Sequence, residues 1–86
     1  MIKIDLAEYT DGGIIREESF RAKVAALDLE RFRDQDVFIK GCAKMPIPTW
    51  AFMIITAHAA QVAASISFGE EARPQLLFER AHTPAE

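Results

Sequence analysis

The sequence has a single cysteine among its 86 residues. One thiol can form neither an internal disulfide nor a four-ligand zinc site, so disulfide-stapled domains and zinc-ribbon folds are excluded. The first residues also lack the charged segment and apolar run of a signal peptide. We therefore expect a cytoplasmic protein.

The chain has neither a strong net charge nor a long uninterrupted apolar run. The formal net charge of -3 is mild, and such a charge would not by itself attract duplex DNA. The longest apolar stretch, residues 49–67, is interrupted by His58, Gln61 and Ser65. It predicts a core helix leading into a strand, not a membrane span.

Half of the residues are nevertheless hydrophobic, which is enough for one modest core at this length. We expect a single domain over residues 1–80 and a frayed tail over residues 81–86, which include Pro84 and no apolar anchor.

The first third of the chain predicts a strand, a tight turn and an amphipathic helix. Apolar residues alternate with polar or small ones over residues 2–6, the period of a half-buried strand. Asp11-Gly12-Gly13 then predicts a reversal, since glycine tolerates positive φ. Ile14-Ile15 is interpreted either as the end of a short strand or, the reading we favour, as a hydrophobic staple for the helix. The helix is predicted from about residue 19 to residue 29, with Phe20, Val24 and Leu27 on its apolar stripe.

Residues 37–39 are continuously apolar and predict a central strand that is covered on both faces. A strand at 62–68 and a final strand at 75–79 are predicted to form a hairpin. Strands joined by helices of this length favour parallel crossovers. The expected fold is α/β or α+β, with one small mixed sheet in the order β-α-β-α-β-β.

The segment between the central strand and the second helix is the expected ligand-binding turn. Prolines at 46 and 48 prevent an earlier helix start, and Thr49 is predicted to be the N-cap. Free amides at such a helix start can bind a phosphate, with Lys44 as a counter-charge. A rigid turn without a ligand is the alternative interpretation. Cys42 beside it is interpreted as a reactive thiol or, more simply, as a buried inert one.

His58 lies late in the second helix on an otherwise apolar segment. It could act as a general acid or base, or as a metal ligand, if Glu70 or Glu71 approached it. A packed histidine is the alternative. Arg73, in the predicted turn after the third strand, could meet a phosphate or a neighbouring subunit.

The second helix is apolar on most of its surface, which predicts that two of its sides are covered. One side would meet the sheet and the other a second subunit, so we expect a homodimer or homotetramer. One face carries Trp50, Met53, Ile54 and Ala57, and another carries Phe52, Ile55 and Ala59; the pattern leaves open which of them meets the sheet.

The order of these motifs resembles the small CRISPR-associated ring nucleases of type III systems. The likeness covers roughly residues 12–79. It consists of Gly12-Gly13-Ile14-Ile15 before the first helix, the Val37-Phe38-Ile39-Lys40-Gly41 strand end, the Pro-Ile-Pro-Thr-Trp entry at residues 46–50, the Ala57-His58 pair and the strand at residues 62–68.

The resemblance implies dimers that sandwich cyclic tetra-adenylate and cleave it with the help of manganese. It also implies that Gly41, Pro46 and Trp50 mark the phosphate-facing turn, and that His58 lies near the family's histidine-bearing region. The family carries an Asp-Pro-Arg motif where this chain has Gly69-Glu70-Glu71-Ala72-Arg73. Binding is therefore implied with or without phosphodiesterase activity.

Two functional hypotheses follow. The first is binding of a cyclic oligoadenylate second messenger in prokaryotic antiviral signalling, with His58 assisting any cleavage. The second is a structural or interaction subunit that assembles through the apolar helix at residues 49–60. The ligand contacts expected under the first are Gly41, Cys42, Lys44, Pro46, Thr49, Trp50 and Arg73.

Overall fold

The computed structural model describes residues 1–41 and 47–80. These residues form one four-stranded mixed sheet with two α-helices, in the strand order β1-β2-β3-β4. The predicted fold class is confirmed. In chain order the elements are β1 (Ile2–Asp5), a 3-10 turn (Leu6–Tyr9), α1 (Glu17–Ala25), a second 3-10 turn (Leu29–Phe32), β2 (Asp36–Lys40), α2 (Thr49–Ala59), β3 (Ser65–Glu70) and β4 (Arg73–Glu79).

The predicted reversal after β1 is present. Asp11 and Ile14 form an antiparallel bridge, and the two glycines between them have φ values of 60° and 87°. Residues with a Cβ rarely adopt this backbone conformation. Ile15 is buried just before α1, whereas Ile14 points outwards.

The apolar stripe of α1 is confirmed. Phe20 and Val24 are buried, and Leu27 packs against the core just beyond the end of the helix. The charged connection after α1 contains one core residue. Phe32, in the second 3-10 turn, is almost fully buried.

The strand β2 lies inside the sheet, parallel to β1 on one side and to β3 on the other. Its residues Val37, Phe38 and Ile39 are all buried, as the apolar run predicts. The strand β2 is therefore an inner strand, between β1 and β3, as predicted.

Both helices pack on the same face of the sheet. Parallel crossovers that advance in one direction across a sheet place successive helices on one face. The side chains that share this core include Phe20 and Val24 of α1, Ala51, Ile55 and Ala59 of α2, and Ile4, Val37, Ile39 and Ile66 of the strands.

Several predicted boundaries are wrong by a few residues. The helix α1 ends at Ala25 and not near residue 29, and β4 begins at Arg73 and not at residue 75. Pro48, with φ -61° and ψ 143°, is the N-cap of α2, and Thr49 is its first helical residue. The strand β3 begins at Ser65 and not at Val62. The reason is that the amides of Val62 and Ala63 still bond back to the Ala59 carbonyl, at 3.1 and 2.9 Å, while the chain turns from helix to strand.

The strand β4 forms the predicted hairpin with β3 and carries a β-bulge. Ile66 pairs with Phe78 and Ser67 pairs with Leu76, so Leu77 is the extra residue of β4. At the end of the hairpin, Arg80 Nε donates a hydrogen bond to the Ala63 carbonyl at 3.1 Å. This contact ties β4 to the turn that follows α2.

Candidate functional site

The N-terminus of α2 lies at the edge of the sheet where the parallel strands end. Its N-cap, Pro48, makes no side-chain cap hydrogen bond, and of the first three helical amides that of Ala51 donates to the Pro48 carbonyl at 3.0 Å. The amides of Thr49 and Trp50 have no capping side chain among the described residues. Gly41 follows β2 directly, and Thr49 is exposed at the helix start. Three of the expected ligand contacts, Cys42, Lys44 and Pro46, fall outside the described residues.

The structure supplies a packing reason for Gly41. A Cβ at this position would lie 3.3 Å from Cζ of Phe52, closer than an ordinary van der Waals contact. The missing side chain therefore lets the Phe52 ring approach the backbone where β2 ends.

Trp50 faces the helix–helix contact. Its ring meets Phe20 edge to face, with the centroids 5.8 Å apart and the planes at 78°. Trp50 is partly buried against the core. This position joins α1 to α2 and is explained by packing alone.

His58 lies at the opposite end of α2 from the ligand-binding turn. Nine residues separate it from Thr49, which corresponds to about 13 Å along the helix. It borders a groove between the two helices that also contains Arg21 and Gln61. Its Nε2 atom is buried without a hydrogen-bond partner among the described residues.

Glu70 and Glu71, the predicted carboxylate partners of His58, lie at the other end of the sheet. Glu70 ends β3, and Glu71 follows it in the hairpin turn. Glu71 instead accepts a hydrogen bond from Lys3 Nζ at 2.7 Å. That contact lowers the pKa of the Glu71 carboxyl below its usual value. The structure therefore does not bring a carboxylate of this turn to His58.

A depression of about 540 Å³ lies beside the carboxyl ends of the strands. Its floor contains the rings of Phe52 and Phe68, which meet edge to face with centroids 5.6 Å apart. Its rim mixes Lys40 with the two acidic residues Glu70 and Glu71. Arg73 sits next to this rim, opposite Glu70 in the hairpin register, and is exposed.

A second, apolar depression runs along the exposed side of α2. We call it the α2–β4 groove; it has a volume of about 590 Å³. Among the described residues, its lining carries no charged side chain. The lining residues are Thr49, Phe52, Met53, Thr56, Ala57, Phe68 and Leu77.

The groove leaves large apolar side chains in contact with water. Met53 is 66 % exposed and Leu77 is 46 % exposed. The bulge explains the second value, because an extra residue in a strand re-aims the side chains near it. Sequence reasoning missed Phe68 and Leu77 as groove residues. The run Leu76-Leu77-Phe78 was the available signal, since strict alternation cannot bury all three of its side chains.

The free edge of β4 is protected against pairing with another strand. Pro74 lacks an amide hydrogen for such a ladder, and the bulge at Leu77 twists the edge away. The edge of β4 is therefore not a regular template for pairing with another strand.

Comparison with known proteins places the whole domain in one family. The family model for proteins of unknown function named DUF2480 matches residues 1–81. The chain belongs to the DUF2480 family. No curated protein and no solved structure matches it.

The resemblance to ring nucleases implies a manganese ion in this DUF2480 chain. Over residues 1–41 and 47–80, no three side chains of His, Cys, Asp or Glu come together as a metal site. These residues do not fit a manganese ion, and we assign no chemical step to one. In the same part of this DUF2480 chain, no helix has the length and apolarity needed to cross a bilayer.

Proposed function

We propose that the protein is an interaction subunit that docks through the α2–β4 groove. The supporting observation is the uncharged, mostly apolar lining of that groove, in which Met53 is 66 % and Leu77 46 % exposed. Apolar patches of this kind, rimmed by polar residues, mark protein–protein contact sites. We place this activity in the cytoplasm, in keeping with a chain that has one cysteine and no possible internal disulfide.

Methionine oxidation can test whether the groove is covered in the cell. Met53 and Met1 are 66 % and 71 % exposed, so an uncovered domain should oxidise both at similar rates. If the groove is docked, Met53 in fresh lysate should oxidise roughly five-fold or more slowly than Met1. Peptide mass spectrometry after a short peroxide pulse measures both rates.

The same lysate after denaturation provides the control, and there the two methionines should oxidise alike. Equal oxidation of Met53 and Met1 in the native lysate would contradict a docking role for the groove.

A second candidate is binding of a cyclic oligoadenylate second messenger of type III CRISPR defence, with or without phosphodiesterase (ring nuclease) activity. The observation that favours it is the first turn of α2, which has no side-chain cap beside Gly41 and the exposed Lys40. Uncapped amides and the positive end of a helix dipole favour a phosphate. Two flanking carboxylates, Glu70 and Glu71, oppose a polyanion at the same edge, so this candidate ranks second.

Thermal unfolding with cyclic tetra-adenylate tests the second candidate. Ligand at about 100 times its dissociation constant stabilises the native state by about 2.7 kcal/mol, a shift in Tm of roughly 10–20 °C for a domain of this size. Lys40→Ala should reduce the shift, whereas Lys23→Ala on α1 removes the same charge and should not. An unchanged Tm together with the absence of linear product would rule this candidate out.

A further inference from the structure

We propose that the depression beside the carboxyl ends of the strands binds a small zwitterion with an apolar body, that is, a free α-amino acid with a large apolar side chain. We call this depression the strand-end pocket. This binding site is separate from protein docking through the α2–β4 groove. The lining residues of the pocket are Lys40, Gly41, Phe52, Phe68, Gly69, Glu70 and Glu71.

The strand-end pocket has the position and the size of a small-molecule site. It lies where the parallel strands β2 and β3 end, and ligands of open sheets with parallel strands bind outside the carboxyl ends of those strands. Its volume of about 540 Å³ falls within the range of about 300–1,000 Å³ that is typical of small-molecule pockets.

The floor of the pocket suits an apolar body. The rings of Phe52 and Phe68 meet edge to face there, and both side chains pack against the core. The ends of β2 and β3 beside these rings carry glycines, since Lys40 pairs with Gly69 and Gly41 follows Lys40. Because neither glycine has a side chain, a ligand can approach the backbone closely at this end of the two strands.

The rim of the pocket leaves one cation and one carboxylate for a ligand. Glu71 is already paired, because it accepts a hydrogen bond from Lys3 Nζ at 2.7 Å. Lys40 and Glu70 have no ion-pair partner within residues 1–41 and 47–80. Their strands are neighbours, about 4.8 Å apart. The carboxylate of an α-amino acid can therefore pair with Lys40 while its ammonium group pairs with Glu70.

The charges of the rim favour a zwitterion over an ion of one sign. An anion that pairs with Lys40 also meets the carboxylate of Glu70, and a cation that pairs with Glu70 also meets the ammonium group of Lys40. Like charges placed together repel. A ligand that carries both charges on neighbouring atoms pairs with both residues and avoids this repulsion.

NMR titration of the ¹⁵N-labelled full chain of 9.6 kDa with L-phenylalanine tests the site. The amides of Gly41, Gly69 and Glu70 should shift and saturate with a dissociation constant below about 1 mM, whereas those of Gly12 and Gly13 in the first turn should not move. 3-Phenylpropionate lacks the ammonium group and 2-phenylethylamine lacks the carboxylate. Each should bind roughly five-fold or more weakly, because one charged hydrogen bond is lost.

Variants of the rim assign the two charged contacts. Lys40→Gln and Glu70→Gln should each raise the dissociation constant of L-phenylalanine roughly five-fold or more. Glu79→Gln is the matched control, since Glu79 is exposed at the opposite end of the hairpin. It removes the same charge and should keep the wild-type constant. The spectrum of each variant without the probe shows that it is folded.

Three results would each overturn the proposal: no saturable shift at Gly41 and Gly69 up to about 10 mM L-phenylalanine, equal binding of the two analogues, or unchanged binding in Glu70→Gln. Binding of cyclic tetra-adenylate that Glu70→Gln strengthens would overturn it as well and assign this edge to an anion. Protection of Met53 in lysate is a separate measurement, so the docking role can stand when the strand-end pocket binds no amino acid.

Discussion

Phe20→Ala is expected to lower the free energy of unfolding by about 3–5 kcal/mol. The Phe20 side chain is fully buried and meets two other rings, Tyr9 at 5.7 Å and Trp50 at 5.8 Å. Its loss would leave a cavity where α1, α2 and the first 3-10 turn meet. A domain of 86 residues has a total stability of only about 4–13 kcal/mol, so much of the variant should be unfolded at 37 °C.

Equilibrium unfolding in urea, followed by circular dichroism, measures this change. Phe20→Leu keeps an apolar side chain in the site and should cost only about 1–1.5 kcal/mol. The single tryptophan, Trp50, supplies a second probe, because its fluorescence reports on the same contact. A loss below about 1 kcal/mol for Phe20→Ala would contradict the central position of this ring.

Ile55→Ala is expected to cost about 2–5 kcal/mol. Ile55 is fully buried and lies on the side of α2 that packs against the sheet, together with Ala51 and Ala59. Both alanines are fully buried too, so the helix backbone lies close to the strands. A close-packed site of this kind has little freedom to collapse around a cavity.

Met53→Ala is the matched control on the opposite side of the same helix. Met53 is largely exposed, so its truncation should change the stability of the monomer by no more than about 0.5 kcal/mol. Both purified variants are to be unfolded at the same low protein concentration, so that association does not contribute to the measured stability. Equal losses for Ile55→Ala and Met53→Ala would show that the assignment of the two sides of α2 is wrong.

The proposed docking surface and the proposed anion site can be separated although they are neighbours. Thr49 begins α2 and also lines the α2–β4 groove. The oxidation rate of Met53 in lysate reports on the groove, whereas the Tm of Lys40→Ala with and without ligand reports on the helix start. Each proposal can therefore fail without the other.

The resemblance to ring nucleases stays a prediction, because the DUF2480 family carries no assigned function. Of the residues that it implied, Gly41 and Trp50 have packing roles against Phe52 and Phe20. His58 lies about 13 Å along the helix from the turn. Packing thus explains Gly41 and Trp50 without a ligand, whereas the buried Nε2 atom of His58 has no hydrogen-bond partner among the described residues.

Local sequence patterns predicted the structure correctly where interactions within a few residues determine it. Two adjacent glycines after an aspartate predicted the turn, because few other residues adopt positive φ there. The 3.6-residue period of Phe20 and Val24 predicted the buried side of α1, since a helix with one apolar stripe has one way to face a core. The short apolar run at residues 37–39 predicted an inner strand for the same kind of reason.

The second helix shows where such reasoning stops. Its apolar residues surround the axis, so periodicity could not decide which side meets the sheet. The sequence-based division placed Trp50, Met53 and Ile54 on one side. In the structure, Met53 is exposed while Trp50 and Ile54 pack against the core.

By itself, the sequence determined the order of the elements, the turn at Gly12-Gly13 and the inner position of β2. Each of these depends on backbone preferences or on apolar spacing within a few residues. Only the tertiary structure decided that α2 buries Ala51, Ile55 and Ala59 and leaves Met53 beside Leu77 in an open groove. That outcome depends on how a helix settles against a twisted sheet and on a bulge in β4, and both are set by contacts between segments far apart in the chain.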